Sequence, residues 1–155
     1  MEKFICSQEL LEGIIEETVN SGGCMPLVVT GNSMRPFMRD GKHTVWLEAC
    51  KESDFKRGKI LLFRREDGRF VLHRVRKVLP DGILEMNGDA QYWCEKIKKE
   101  QAVAVVTQIE KNGKKQSCNS LIYKIIIEVW QLLKPVRPYI FSANRKIKKI
   151  IGLSE

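Results

Sequence analysis

The spacing of apolar and polar residues predicts a helix near the start of the chain. Residues 7–20 carry apolar side chains three and four positions apart, with glutamates on the opposite side. The apolar positions are Leu10, Leu11, Ile14 and Ile15. Ser7 is a suitable N-cap, and the Gly22-Gly23 pair is typical of a helix end. We therefore expect an amphipathic helix within residues 1–25.

Between Pro26 and Val106 the pattern changes to short apolar runs separated by turns. Asp67-Gly68 and Asp81-Gly82 are sequences that favour tight hairpin turns. The predicted strands are 27–30, 44–47, 59–64, 69–75, 75–78, 83–86 and 102–109. Many short strands joined by hairpins predict a mainly β, mostly antiparallel domain that is curled or barrel-like, which we assign to residues 26–116.

Helical spacing returns in the C-terminal segment, residues 117–155. Residues 121–133 are apolar except for one narrow polar stripe formed by Lys124, Glu128 and Gln131. A helix of this length measures about 20 Å, which is less than the roughly 30 Å of a bilayer core. Residues 139–151 then mix apolar and basic side chains. Two interpretations stay open: the segment anchors the protein at an anionic membrane surface, or its helix covers the sheet.

Composition narrows the possible partners. The chain has 155 residues, is 43% hydrophobic and 30% charged, and carries a formal net charge of +8. These proportions are typical of a globular protein, and a basic balance suits nucleic acid, an anionic membrane or an acidic peptide. Residues 1–24, however, hold five glutamates against one lysine. One acidic helix is too short for a helix-turn-helix module and has the wrong charge for DNA, so we expect no nucleic-acid partner.

Cysteine spacing and the N-terminal sequence indicate a cellular compartment. The five cysteines are widely spaced and include no C-x-x-C pair, which disfavours a disulfide framework or a zinc site. The acidic start does not resemble a signal peptide, and no apolar run reaches about 18 residues. We therefore expect a cytoplasmic protein, with peripheral attachment at the inner face of the membrane as an open alternative. No metal and no cofactor are predicted.

Four residues are candidates for catalytic chemistry. Ser33 follows a predicted strand within Thr30–Pro36, where a sharp turn can expose a hydroxyl; local geometry alone favours an N-cap serine on a short turn. His73 lies in the strand 69–75 on the side of Val71 and Val75, where a histidine is often only a core residue. Asp89, or alternatively Glu95, could orient its imidazole. The other histidine, His43, lies in a predicted turn and is expected to be exposed to solvent.

The order of these motifs resembles the signal peptidase and LexA-like serine peptidase superfamily. Gly31-Asn32-Ser33-Met34-Arg35-Pro36 resembles its nucleophile box, followed by the turn Asp40-Gly41. His73-Arg74-Val75 is similar to the general-base box in the subgroup that uses histidine, and Gly88-Asp89 to its acid box. The resemblance implies the fold of coiled antiparallel sheets, Ser33 as nucleophile, His73 as base, Asp89 as supporting acid, and the Ser33 backbone N–H as one oxyanion donor. Glu95 is a second candidate acid.

Three functions follow as hypotheses. The first is a serine endopeptidase that cleaves exported or leader peptides by a Ser-His mechanism, with a peptide or preprotein as its substrate. The second is a catalytically inactive binding or membrane-associated module with the same fold. The third is a LexA-type regulator that cleaves itself; this hypothesis requires an Ala-Gly or Cys-Gly site before the nucleophile, and the sequence there is Gly22-Gly23-Cys24.

Overall fold

The described part of the protein is built around one antiparallel sheet. The structure is a computed structural model, and it describes residues 13–15, 17–18 and 21–151, with side chains up to Ile147. Its strands are β1 (Met25–Val28), β2 (Thr44–Glu48), β3 (Ile60–Arg64), β4 (Phe70–Val78), β5 (Leu84–Asn87), β6 (Glu95–Ile97), β7 (Ala102–Lys111) and β8 (Lys114–Ser117). The predicted mainly β architecture with C-terminal helices is confirmed for these residues.

The strand order brings distant parts of the sequence together. Along the sheet the order is β1-β2-β7-β3-β4-β5-β6, and β8 pairs with β7 beyond the end of β3. All of these pairings are antiparallel. Because β7 lies between β2 and β3, it joins the half of the sheet that precedes residue 50 to the hairpin strands β3, β4 and β5.

Both faces of the central strands are buried. The first four residues of β3, Ile60 to Phe63, are all buried, as the unbroken apolar sequence of this strand requires. Successive side chains on a strand point to opposite faces, so this strand contributes to two apolar clusters. Ile60 and Leu62 join Met34, Met38 and Val106 in one cluster, whereas Leu61 and Phe63 join Val75 and Met86 in the other.

Two helices follow the sheet. Ser120 is the N-cap of helix α1 (Leu121–Leu132), and its hydroxyl accepts the Tyr123 backbone N–H at 3.3 Å. A 3₁₀ turn leads into helix α2 (Arg137–Ile151). Tyr123 and Ile127 pack into the first apolar cluster, so α1 covers the sheet along one side. Among the described helices, none combines the length and the apolar character needed to cross a membrane.

Some elements differ from the predictions. Strands β6 and β8 were not predicted, because Glu95-Lys96-Ile97 and Lys114–Ser117 are short and polar. These segments become strands because they pair with β5 and β7. The predicted N-terminal helix falls largely outside the described residues and is not established. Within it, Ile15 is fully buried in the first cluster, so this segment does contact the β domain.

Candidate active site

Ser33 lies in a tight loop that follows β1. Gly31 adopts a φ of 79°, a left-handed conformation that favours glycine, and its backbone N–H donates to an Asp40 carboxylate oxygen at 3.0 Å. The Asn32 carbonyl accepts the Arg35 N–H at 3.3 Å, which tightens the turn around Ser33. Met34 is 2% exposed and packs into the first cluster, so it anchors the loop to the core. Ser33 itself is half-buried.

The Gly88-Asp89-Ala90 turn holds this loop from the other side. The Ala90 backbone N–H donates to the Ser33 carbonyl oxygen at 2.8 Å. A Cβ on Gly88 would lie 2.8 Å from that same carbonyl oxygen and 2.5 Å from the Gln91 side-chain oxygen, closer than carbon atoms approach such groups. Only glycine permits this close packing, so the turn after β5 fixes the backbone position of Ser33.

His73 is held by a carboxylate, and the carboxylate is held by an arginine. The His73 Nδ1 atom lies 2.9 Å from Glu95 Oε1. Both Glu95 oxygens also accept hydrogen bonds from Arg65, each at 2.7 Å. An ionised carboxylate can only accept hydrogen bonds, so the proton of the neutral imidazole is assigned to Nδ1 and Nε2 is left as an acceptor. This is the tautomer that a general base requires.

Sheet register explains why Glu95 reaches His73. Val75 pairs with Met86 across β4 and β5, and Met86 pairs with Glu95 across β5 and β6. Paired residues share a face of the sheet, and His73 is two positions from Val75 on that face. Glu95 and His73 therefore lie on the same face although two strand pairings separate them.

Burial sets the protonation of this pair. His73 is 2% exposed, and burial lowers the pKa of its imidazole below 6.5, although the charge of Glu95 acts in the opposite direction. Burial raises the pKa of Glu95, but hydrogen bonds from Arg65 and the nearby His73 and Arg65 charges outweigh it and leave that pKa below 4.5. At neutral pH the pair is a neutral imidazole beside an ionised carboxylate.

Ser33 and His73 line one cleft. This cleft has a volume of about 740 Å³ and is bordered along one side by β1 and by the start of β4. Trp93 packs edge-on against the His73 ring, with the ring centroids 6.1 Å apart, and shields the imidazole from solvent. Apolar side chains form much of the lining: Leu27, Val28, Val29, Leu62, Phe70 and Leu72. The cleft can receive an extended, largely apolar chain next to Ser33.

Asp89 occupies a different place from the one that the resemblance implies. Its two carboxylate oxygens accept hydrogen bonds from Arg74, the closest at 2.7 Å, and both side chains are at most 1% exposed. Arg74 also donates to the Gly58 carbonyl and to the Tyr123 hydroxyl. Because Arg74 and His73 are neighbours on a strand, they point to opposite faces. The expectation that Asp89 supports His73 is therefore corrected: Asp89 binds Arg74, and Glu95 binds the imidazole.

His43 also differs from expectation. It is 7% exposed rather than solvent-exposed, and its Nδ1 atom accepts the Arg39 backbone N–H at 3.2 Å. Burial lowers the pKa of its imidazole, with the charge of Lys111 acting in the same direction. His43 thus closes the loop that contains Ser33. Within the described residues, no group of three His, Cys, Asp or Glu side chains is placed to hold a metal ion.

Two residues of the site were not found from the sequence. Arg65, which binds Glu95, lies two positions before Asp67 of the hairpin turn, and Trp93 lies two positions before the start of β6. Nothing in the local pattern distinguishes Arg65 from the other arginines of this basic chain. Its partner lies 30 residues away, and only the pairing of β4, β5 and β6 brings the two side chains together.

Comparison with known proteins adds no relative from which a role can be assigned. The chain matches no protein-family model. It also matches no curated protein sequence.

Proposed function

We propose that this protein is a serine endopeptidase of the signal-peptidase type, with Ser33 as nucleophile and His73 as general base. The observation that carries the proposal is that Ser33 and His73 line the same cleft and that Glu95 holds the His73 imidazole at Nδ1. The motifs around these residues resemble the signal peptidase and LexA-like superfamily. The antiparallel sheet is compatible with that superfamily's coiled β fold, which is part of the proposal.

In the proposed reaction, the Ser33 hydroxyl oxygen attacks a peptide carbonyl carbon as Nε2 of His73 takes the hydroxyl proton. The negative charge that develops on the carbonyl oxygen is stabilised by backbone N–H donors at the Ser33 turn. The peptide bond then breaks, the imidazolium returns its proton to the leaving amine, and water hydrolyses the acyl-enzyme. Glu95 keeps the imidazole in the required orientation and stabilises its charged form.

The cleft lining supports a peptide substrate. Its apolar walls are formed in part by β1, an edge strand of the described sheet. An extended peptide can add backbone hydrogen bonds to such an edge while its side chains enter the cleft. By resemblance, the substrates are exported or leader peptides with small residues before the cleaved bond.

The test is intact-mass analysis after reaction with a fluorophosphonate probe, which modifies activated serines. We expect one adduct on the wild-type protein and none on Ser33→Ala, with at least a hundredfold slower modification of His73→Gln, since general-base catalysis contributes about 10²–10⁴-fold. Ser53→Ala, which removes an exposed serine far along the chain from the site, is the matched control and should react like the wild type.

Circular dichroism of each variant establishes that it is folded. A folded wild-type protein that forms no adduct, or a Ser33→Ala variant that still forms one, would overturn the assignment of Ser33. The first of these results would favour the alternative that the chain is a non-catalytic binding module.

A further inference from the structure

Helix α1 presents a broad apolar surface to solvent. At about 100° of rotation per residue, its exposed apolar side chains span roughly 140°, opposite the side formed by Tyr123 and Ile127 that packs on the sheet. We call this surface the outer face of α1. Its residues are Leu121, Ile122, Ile125, Ile126, Val129, Leu132 and Leu133. Leu121 and Leu132 are each 73% exposed, so the face is uncovered from one end of the helix to the other.

The exposed apolar surface continues past the end of α1. Val136, Tyr139, Ile140 and Ile147 are also exposed, the tyrosine by 75%. Single exposed apolar residues are normal on soluble proteins, but a contiguous set of this size marks a surface that contacts an apolar partner.

The sequence of the two C-terminal helices is strongly basic. Residues 121–151 contain seven lysines and arginines and a single acid, Glu128. The Glu128 carboxylate is already occupied by Arg57, at 2.9 Å. Within the described helices, the face therefore has no unpaired acidic group of its own.

A second element adds basic side chains beside the helix. A cavity of about 310 Å³ lies between α1 and the segment that leads into β3. Its rim carries Lys56, Arg57 and Lys124, above a floor that includes Tyr123 and Ile127. On α1, Lys124 and Glu128 lie along one flank of the outer face, so this cavity opens next to the apolar surface.

We propose that the outer face of α1 docks on the surface of an anionic lipid bilayer. The 12 residues of α1 measure about 18 Å, too short to cross a hydrocarbon core of about 30 Å, so the helix lies in the plane of the interface. Its apolar side chains enter the acyl region, and Lys56 and Lys124 contact lipid phosphates. This inference does not depend on the proposed peptidase activity.

Charge also argues against a second copy of the chain as the occupant. Two outer faces packed together would bring the exposed Lys124 flank of each copy close to the other, and the acid on that flank, Glu128, is already paired with Arg57. That arrangement lacks compensating negative charge and is unfavourable at close range. An anionic bilayer supplies both an apolar interior and negative headgroups.

The test is flotation of the full-length protein with two kinds of vesicle: pure phosphatidylcholine, and phosphatidylcholine with 30% phosphatidylglycerol. We expect binding to the anionic vesicles that is much weaker on the neutral ones and weaker at high salt. Val129→Asn should lower the partition coefficient about tenfold, since it removes one inserted side chain. Val78→Asn makes the same change at an exposed valine at the end of β4 and should bind like the wild type.

The charged flank is tested in the same assay. Lys124→Gln should weaken binding to anionic vesicles about fivefold, which corresponds to about 1 kcal/mol for one basic side chain at such a surface. Lys114→Gln, at an exposed position in β8, is the matched control.

Three results would overturn the proposal: no flotation of the wild type with anionic vesicles, equal binding to both kinds of vesicle, or wild-type binding by Val129→Asn. A fourth would assign the face to a second copy instead. In that result, the wild type sediments as a dimer without lipid and the Val129→Asn variant sediments as a monomer.

Discussion

His73 and Arg74 are adjacent in β4, but each one binds a different carboxylate. The strand directs the two side chains to opposite faces, so His73 contacts Glu95 from β6 and Arg74 contacts Asp89 from the turn after β5. The two carboxylates consequently have separate roles. Glu95 is half-buried and positions an imidazole, whereas Asp89 neutralises a fully buried guanidinium.

Exchange of each acid for its amide distinguishes these roles. Glu95→Gln should reduce the rate of probe modification at Ser33 by about 10²–10⁴-fold, because a neutral amide stabilises the imidazolium poorly. The fold should persist, since Arg65 keeps a carbonyl acceptor. The measurement is the pH dependence of the modification rate, in which the variant should also show an altered apparent pKa of His73.

Asp89→Asn is the matched comparison. It leaves the buried Arg74 charge without its partner, which typically costs about 3–5 kcal/mol of folding free energy. Urea unfolding should therefore show a large loss for Asp89→Asn and a small one for Glu95→Gln. The opposite ranking would contradict the role of Asp89 as the partner that neutralises buried Arg74.

At the scale of elements, the turn after β5 connects three parts of the molecule. Ala90 donates to the Ser33 loop, and the Asp89 carbonyl accepts the indole N–H of Trp130 from α1 at 2.9 Å. The preceding residue Asn87 accepts a hydrogen bond at 2.7 Å from Arg137 of α2, which is 2% exposed. The helices thus support the same turn that fixes the Ser33 loop.

Gly88→Ala tests this coupling. The added methyl group has no room beside the Ser33 carbonyl, so the loop must shift by several tenths of an ångström or more. A misplacement near 1 Å can cost about a hundredfold in rate, and we expect a loss of this order in the modification of Ser33. Gly13→Ala, where an added Cβ meets nothing within 4 Å, is the control. Unchanged reactivity of Gly88→Ala would show that this contact does not position Ser33.

For the whole molecule, the two histidines link stability to pH. Both are buried, and burial lowers the pKa of each below 6.5. The unfolded chain therefore takes up protons near pH 6.5 that the folded protein does not bind. The free energy of unfolding should fall as the pH drops from 7 through 6.5 toward the lower folded-state pKa values.

Urea unfolding at pH 7, 6 and 5 measures this effect. Each histidine can contribute at most about 1.4 kcal/mol per pH unit, and His73→Gln and His43→Gln should each flatten the dependence. Probe modification should decline over the lower part of the same range, because a protonated His73 cannot accept the Ser33 proton. Stability that rises on acidification to pH 5 would contradict the assigned pKa directions.

The sequence by itself determined the local features of this protein. Short apolar runs between turn sequences such as Asp-Gly predicted β2, β3, β4, β5 and β7 close to their observed bounds, and helical spacing predicted α1. The candidates Ser33 and His73 were also named from the sequence, because their motifs are short and contiguous, whereas Glu95 was only the alternative to Asp89. These features depend on interactions within a few residues, which a linear pattern records directly.

Only the tertiary structure decided which residues meet. Glu95 reaches His73 because Met86 lies opposite both Val75 and Glu95, and this register depends on two strand pairings. The packing of the C-terminal segment was decided in the same way: α1 packs on the sheet through one side and leaves its outer face uncovered. Periodicity shows that a helix is apolar nearly all round, but which side is buried depends on the surface that the folded sheet offers it.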